Sequence, residues 1–294
     1  MLVGLLRSLL CFRLGYRTAM CVSAGAAELS GTILFAGRRL HHVHGWVEVL
    51  GYQNTAVNLA TGQNAMLLHL PARKVTSAQF LNMGRCDRVL RDMAAVAVQS
   101  MGRSRTLSAE VDWMNCGRVE VFEHDIYAVV LADRAADFPR ALERVPERKR
   151  PVVSRELLAF YGDCFPSHPV ALCCFDNIEA VHAKPLMLWY RPLDEERLVL
   201  PAIDCHTGSA PDLEASVGTD HTVIFATDHA TDGWGEPISY SQTGQMRHDL
   251  RAFLPEQVLG ERFTEMLPNG DFAIAHDDLI RGDLERIERL VPGR

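Results

Sequence analysis

The sequence lacks the short motifs that identify the most common enzyme classes. None of the patterns GxGxxG, GxxxxGK[ST], HExxH and GxSxG occurs in the 294 residues. Those patterns supply the backbone turns and side chains of dinucleotide-binding proteins, P-loop nucleotidases, zincin proteases and α/β-hydrolases. Their absence argues against these four classes, so a function has to be sought in less regular features.

Positive charge is scarce, and so are long apolar runs. The chain has 30 lysines and arginines against 37 acidic residues, which gives a net charge of −7 at pH 7. Proteins that bind nucleic acid or adhere to anionic membranes present a basic surface instead. No stretch reaches the roughly 20 apolar residues that a membrane-spanning helix needs. We therefore expect neither nucleic acid nor a membrane as a partner.

The eight cysteines follow no framework spacing. No CxxC pair is present, which argues against zinc ribbons and thioredoxin-like redox sites. Cys173 and Cys174 lie in the apolar run 170–175, where a free thiol behaves as a small hydrophobic group. Thiols without a pairing pattern are typical of a reducing compartment, so a cytoplasmic location is expected.

Strand-like segments come in runs and do not alternate regularly with helices. Three of them, at 31–36, 46–53 and 64–70, are joined by glycine-containing turns and are expected to be antiparallel neighbours. Further strands are predicted at 118–131, 170–175, 186–190, 198–203 and 222–226. This order predicts the α+β class, with mainly antiparallel sheets and flanking helices.

Apolar spacing predicts the helices, and composition predicts the domain limits. Helices are expected at 87–101, 138–145, 154–161, 255–267 and 284–290. The charged segment 146–151 (PERKRP) has a proline at each end and is the best candidate linker. Residues 20–294 are therefore predicted to form a single α+β domain, with a candidate subdivision near 146–151.

Residues 1–19 differ in character from the rest of the chain. They contain three arginines, and no acidic residue precedes Glu28. Arg7 and Arg13 interrupt the apolar core that a secretory signal would need, whereas an arginine-rich, acid-free segment suits organelle targeting. An upstream extension of a chain that starts at Met20 is the third explanation and the one we favour. The segment is not expected to belong to the fold.

A start at Met20 would give Cys21 a chemical role. Removal of the initiator methionine would leave Cys21 as the N-terminal residue, with a thiol nucleophile and a free α-amine. The amine has an ordinary pKa of about 7.7–8.0 and can act as the base for the thiol of the same residue. One residue would then supply two catalytic groups.

The Met20-Cys21 start and the downstream strand that ends in Gly37-Arg38 resemble N-terminal-nucleophile amidohydrolases of the choloylglycine-hydrolase type. The resemblance implies that Cys21 is the nucleophile, that Arg38 orients it, and that Asn54 or Asn64 donates to the oxyanion. The substrate would be a small amide or a peptide bond. Elsewhere the chain resembles only uncharacterised bacterial families.

Histidine and aspartate are neighbours at many positions. The adjacent pairs are His124-Asp125, Asp220-His221, Asp228-His229, His248-Asp249 and His276-Asp277. Asp204 and His206 end a predicted strand, and alternate strand residues face the same side. Imidazole with carboxylate suits zinc, manganese or non-heme iron, so Asp204, His206, Asp220 and His221 are candidate metal ligands. A catalytic pair of His206 and Asp204 without metal is the alternative, and no other cofactor is expected.

A second histidine group, His41-His42-Val43-His44, precedes the strand that begins at Trp46. These histidines could bind a metal ion adventitiously. Their polar composition instead predicts a turn between two strands.

Three classes of function remain open at this point. The first is a cysteine amidohydrolase, and the second is a His/Asp-dependent or metal-dependent enzyme that uses the 204–229 region. The third is a non-enzymatic binding or scaffold protein. A small molecule or a peptide is the expected substrate of either enzyme, and an open sheet edge near 31–71 would allow a homodimer.

Overall fold

Most of the regular structure in the described part of this protein is β-strand, arranged in four sheets. The computed structural model describes residues 22–59, 61–98 and 118–292. The strands of these residues are β1 (Val22–Ser23), β2 (Ala27–His41), β3 (Gly45–Leu59), β4 (Gln63–His69), β5 (Val119–His124), β6 (Tyr127–Ala132), β7 (Val170–Asp176), β8 (Leu186–Tyr190), β9 (Arg197–Leu200), β10 (Ser216–Gly218), β11 (His221–Thr227), β12 (Glu236–Pro237), β13 (Gln257–Phe263), β14 (Met266–Pro268), β15 (Asp271–Ala275) and β16 (Glu288–Leu290). The helices are α1 (Val89–Ala97), α2 (Phe138–Leu142), α3 (Arg155–Cys164), α4 (His248–Arg251) and α5 (His276–Ile280), together with short 3₁₀ turns.

The largest sheet is built around the long hairpin of β2 and β3. Its strand order is β12-β13-β11-β2-β3-β8. The pairing of β2 with β11 is parallel, and the other neighbours are antiparallel. Gly45 begins β3 with a positive φ of 68°, a conformation that glycine adopts without steric cost, and so closes the hairpin turn.

A second sheet of five strands has the order β1-β4-β7-β6-β5 and is antiparallel throughout. A three-stranded sheet, β16-β15-β9, and a two-stranded sheet, β10-β14, complete the set in the described residues. The three-stranded sheet contributes Leu200 and Phe272 to the apolar cluster that the two large sheets share.

The two large sheets are stacked, and each carries helices on its outer face. Leu34 of β2 and Met66 of β4 share the cluster between the sheets. Phe35 faces the other way and packs with Leu90 of α1. Leu67 likewise faces outward, toward Tyr161 of α3. Because successive strand residues alternate between faces, this gives the layer order helix, sheet, sheet, helices.

The predicted α+β class, with mainly antiparallel sheets and flanking helices, is confirmed. Of the three strands expected to be neighbours, β2 and β3 do pair over most of their length. The third, β4, lies in the other sheet between β1 and β7. Six of its seven residues are buried, so β4 needs cover on both faces, which a central position provides.

The two helices predicted near the C-terminal end are wrong. Residues 255–267 contain β13 and the start of β14, and residues 284–290 form a short 3₁₀ turn and β16. Consecutive residues Val258, Leu259 and Gly260 are all buried, because β13 is covered on both faces next to β11. Such a strand has no polar–apolar alternation to distinguish it from a helix.

The segment 146–151 carries a buried charge. Lys149 is only 3% exposed, and its ammonium group donates to the carbonyl of Ile126 at 2.5 Å. It also forms an ion pair with Glu179 at 3.3 Å. These contacts join the segment to the β5–β6 turn and to the chain after β7. Separately, none of the helices in the described residues is long and apolar enough to cross a membrane.

Replacement of Gly260 by alanine distinguishes the strand from the predicted helix. In a helix the change would stabilise the protein by about 1 kcal/mol. In β13 the new methyl would lie 2.5 Å from the carbonyl oxygen of Val223 and 2.9 Å from the side chain of Ala97. We expect Gly260→Ala to lower the free energy of unfolding in urea by about 1–3 kcal/mol. Gly244→Ala, where no atom lies within 4 Å, is the control and should change it by less than about 0.5 kcal/mol.

Candidate functional site

A cavity of about 430 Å³ lies where β2 and β3 approach the segment after β8 and the start of α5. Its volume is within the range of small-molecule and side-chain binding pockets. We call it the Arg38 pocket. Its polar and aromatic lining consists of Arg38, Trp46, Glu48, Arg73, Arg191, Glu195, Glu196, His229, His276 and Asp277.

The inner end of the Arg38 pocket is a buried ion pair. Arg38 and Glu48 are opposite each other on β2 and β3, and they are 8% and 1% exposed. The Arg38 guanidinium donates twice to one carboxylate oxygen of Glu48, through Nε at 3.2 Å and Nη2 at 2.6 Å. Its Nη1 donates to the carbonyl of Glu195 at 2.6 Å. Burial raises the pKa of Glu48 to about 7, although Arg38 acts in the opposite direction.

One wall of the pocket is a ladder of aromatic rings. The indole of Trp46 stacks on the imidazole of His229 with ring centres 3.8 Å apart. His229 in turn meets the edge of His276 at 4.9 Å, and Nε2 of His276 is 2.9 Å from the hydroxyl of Thr227. Burial, aided by the charge of Arg38, lowers the pKa of His276 to about 3 and also lowers that of His229. Both rings are therefore neutral near pH 7.

The rim of the pocket carries further charges. Arg73 donates to the carboxylate of Glu195 at 2.8 Å, and Arg191 donates to the carbonyl of His44 at 3.0 Å. Asp277, the second residue of α5, follows His276 in the chain and also lines the pocket. Its pKa is raised by burial and by the nearby carboxylates of Glu196 and Asp278.

The β2–β3 turn is next to the pocket, because the lining residue Trp46 follows it and the lining residue Arg191 donates to the carbonyl of His44. Nδ1 of His41 accepts the backbone N–H groups of Val43 and His44, at 3.2 and 3.3 Å, and so holds the turn. The His41 ring also stacks on Phe253 at 4.2 Å. We call Leu40, Val43 and Trp46 the hairpin tip, because these large apolar side chains are 58%, 68% and 39% exposed at this end. The turn predicted for residues 41–44 is confirmed.

Three residues of the predicted amidohydrolase site, Arg38, Asn54 and Asn64, lie in the described part of the chain, and each has different surroundings. Cys21 lies outside the described residues. Arg38 is held by Glu48 and Glu195, as given above. Asn64 is buried, and its side-chain oxygen accepts the N–H groups of Gly25 and Ala65 at 2.9 and 2.8 Å, which fixes the turn after β1. Asn54 is half-buried at the irregular register between β2 and β3.

Asp204 and His206 do come together, as their spacing predicts. Nε2 of His206 lies 2.7 Å from a carboxylate oxygen of Asp204. The orientation does not meet hydrogen-bond geometry, and both atoms are buried without a hydrogen-bond partner among the described residues.

The other two candidate metal ligands are used elsewhere. The carboxylate of Asp220 accepts from the N–H of Gly31 and from Arg262. His221 is fully buried, and burial lowers its pKa to about 3. Within residues 22–59, 61–98 and 118–292, no three histidine, cysteine or carboxylate side chains converge to hold a metal ion. Asp204, His206, Asp220 and His221 thus do not form one cluster.

Sequence reasoning found part of the Arg38 pocket and missed the rest. The adjacent pairs Asp228-His229 and His276-Asp277 were visible, and both supply pocket residues. Trp46 and Arg191 have no local signal, because only the pairing of β3 with β2 and β8 brings them to the cavity. Glu48 occupies a polar position in the alternating pattern of β3, so nothing in the sequence indicated that its side chain is buried.

No protein-family model and no curated protein sequence matches this chain. Among solved structures, a mutated baculovirus p35 after caspase cleavage has a TM-score of 0.43 and 11% identity, over 84% of this chain and 97% of that one. Baculovirus p35 itself gives 0.38 and 12%, over 91% and 98%. A complex of caspase-8 with p35 gives 0.37 and 12%, over 90% and 92%. Similarity at this level assigns no function.

The buried Arg38–Glu48 pair can be tested by removing one partner or both. We expect Arg38→Met to lower the free energy of unfolding by about 3–5 kcal/mol, because Glu48 is left buried without its cation. The double variant Arg38→Met/Glu48→Leu should recover most of this loss. The pair Arg73–Glu195, whose side chains are 34% and 56% exposed, supplies the control, since Arg73→Met should cost less than about 1 kcal/mol. Equal losses for Arg38→Met and Arg73→Met in urea denaturation would contradict the assignment.

Proposed function

We propose that this protein acts by binding another protein and does not catalyse a reaction, and that the binding surface is the hairpin tip together with the Arg38 pocket. The observation that carries the proposal is the exposure of three large apolar side chains around the β2–β3 turn, one of which, Trp46, also lines the Arg38 pocket. Leu40 and Trp46 are directly opposite each other on β2 and β3, and Val43 lies in the turn between them. An apolar patch beside a few placed polar groups is the usual composition of a protein–protein contact.

The chemistry of the pocket favours binding over catalysis. The contact between the hydroxyl of Thr227 and Nε2 of His276 has the geometry of a nucleophile and its base. However, a pKa of about 3 makes His276 a weak base near neutral pH, where efficient general bases titrate closer to 7. Of the five described cysteines, none lines the pocket, and Cys86, Cys173 and Cys174 are buried. The pKa of the Cys164 thiol is raised, which disfavours the reactive thiolate.

The amidohydrolase proposal depends on a free Cys21 amine and remains untested. It predicts that the mature chain begins at Cys21 and that Cys21→Ser abolishes amide hydrolysis. The binding proposal requires neither result. A Cys21→Ser variant that keeps its partner would support the binding proposal.

The hairpin tip can be tested against equally exposed apolar residues elsewhere. Proteins close to the chain in its native cells would be labelled by proximity and compared between wild type and Leu40→Ser/Val43→Ser. We expect at least one protein to fall about tenfold in the tip variant, and its purified form to lose binding by a similar factor in a direct titration, because buried apolar anchors dominate contact energies.

Ile178→Ser/Val181→Ser is the matched control, since these two side chains are 75% and 71% exposed on another part of the surface. It should leave binding unchanged. Both double variants should unfold within about 0.5 kcal/mol of wild type, because all four positions are exposed. If every labelled protein is retained by the tip variant, the proposed surface is wrong.

A second candidate function is a substrate-like ligand of a caspase, and a specific feature of the sequence favours it. Residues 109–113 read Ala-Glu-Val-Asp-Trp, in the segment between α1 and β5 that lies outside the described residues. Caspases cleave peptide bonds that follow aspartate, and Asp112-Trp113 is such a bond with Glu110 before it.

Incubation with purified caspase-8, followed by intact mass measurement, tests this candidate. We expect one cut between Asp112 and Trp113, with the products eluting together with the caspase in size-exclusion chromatography. Asp112→Ala should remain uncut, whereas Asp163→Ala, at an exposed aspartate of α3, should be cut like wild type. A wild-type chain that stays intact while a reference peptide is consumed would remove the candidate.

A further inference from the structure

The turn that displays the hairpin tip is held by one imidazole. Nδ1 of His41 accepts the backbone N–H groups of Val43 and His44, at 3.2 and 3.3 Å, and His41 is only 6% exposed. A ring nitrogen that accepts carries no proton, so the neutral His41 ring carries its proton on Nε2. A second proton would have to bind Nδ1, where it would face the two N–H groups. Both bonds that hold the turn would then be lost.

The His41 ring lies in a stack of rings that fixes its orientation. Phe253 stacks on it at 4.2 Å, His42 at 4.5 Å and His44 at 4.7 Å. The stack continues from His44 to Trp189 at 4.2 Å. Rotation of the His41 ring would therefore disturb these contacts as well as remove Nδ1 from the turn.

The surroundings of His41 favour its neutral form. Burial lowers the pKa of His41, and the charges of His44 and His42 lower it further. A proton that binds this ring therefore has to overcome both desolvation and like charge. The other charged or titratable groups around the turn are His248 of α4, which meets the edge of His42 at 6.4 Å, Arg191, which donates to the carbonyl of His44, and the ion pair of Arg39 with Asp228, whose carboxylate also accepts the N–H of Leu40.

We propose that protonation of His41 opens the β2–β3 turn, so that the hairpin tip is held for binding near neutral pH and released in mildly acidic solution. This inference rests on the proposed function, because release of the tip regulates binding only if the tip is the binding surface. Histidine is the side chain that ordinarily changes charge in this range, and clustered histidines at an interface can act as a switch.

The direction of the effect follows from the shift in the pKa of His41. Folding lowers this pKa from its ordinary 6.5, so the unfolded chain binds the proton more readily than the folded one. The stability that the neutral ring contributes is fully present above pH 6.5. It is lost as the pH falls through the lower pKa of the folded chain.

Solvent exchange of the Val43 and His44 amide protons tests the turn without a partner. It would be measured by NMR on the full chain at about pH 7.5 and about pH 5, with each rate divided by the intrinsic rate at that pH. We expect the protection of both amides to fall about tenfold at the lower pH, as for the loss of one net hydrogen bond. His168 and His276, with pKa values of about 4 and about 3, stay largely neutral over this range.

Two replacements of His41 separate the acceptor from the ring. In His41→Asn the side-chain oxygen can take the place of Nδ1 and does not titrate, so protection should match wild type at the higher pH and should not fall at the lower one. His41→Phe keeps a ring for the stack and has no acceptor, so protection should be low at both. His182→Asn, at an exposed histidine elsewhere, should behave like wild type.

Binding provides the second readout. The protein identified by proximity labelling should bind wild type about tenfold more weakly at the lower pH, and His41→Asn should lose less affinity. Glu48, with a pKa of about 7, also titrates in this range, but it is present in both chains, so their difference isolates His41.

Three results would overturn the inference. They are protection in wild type that does not change with pH, the same fall in His41→Asn, and full protection in His41→Phe at the higher pH. Each would leave the proposed function standing. Conversely, if the amides respond as expected while Leu40→Ser/Val43→Ser retains every labelled protein, the opening of the turn is supported and the proposed function is wrong.

Discussion

The buried pair of Arg38 and Glu48 is the interaction on which the rest of the site depends. It joins β2 to β3 inside the six-stranded sheet, and a third bond from Arg38 ties down the segment after β8. Both charges are removed from water, so the loss of either partner would leave the other charge buried and unpaired and would lower the stability of the protein. In the intact pair, each charge offsets the other. Burial lowers the pKa values of His229 and His276, and the charge of Arg38 lowers them further, so the aromatic wall and the ion pair are electrostatically coupled.

The general class of fold could be predicted, and the assignment of strands to sheets could not. Runs of β-branched and apolar residues marked β2, β3, β4 and β7 correctly. They could not show that β4 leaves the β2–β3 hairpin for a different sheet, because that choice depends on which faces need cover. The helix expected at 255–267 failed for a related reason. Val258 and Leu259 are buried on opposite faces of β13, so their pattern carries no period of two.

The candidate site, like the fold, could be predicted only in part. Adjacent histidine and aspartate marked His229, His276 and Asp277 as unusual, because chemistry-bearing residues in pairs are visible locally. The predicted approach of Asp204 and His206 is present in the structure, but this contact lies outside the Arg38 pocket. Trp46 joins the pocket through strand register and ring stacking, which are long-range properties. The sequence therefore identified several residues of the pocket, but it did not show where in the fold these residues meet.

Titration of the Glu48 side chain is the most direct test of the central claim, that a desolvated ion pair forms the inner end of the binding pocket. The carboxyl carbon of Glu48, assigned by comparison with Glu48→Gln, would be followed by ¹³C NMR across the pH range. We predict an apparent pKa of about 7, since burial outweighs the attraction of Arg38. A carboxyl that titrates at or below its ordinary 4.5 would mean that the attraction of Arg38 or access of water outweighs burial, and it would contradict this account of the pocket.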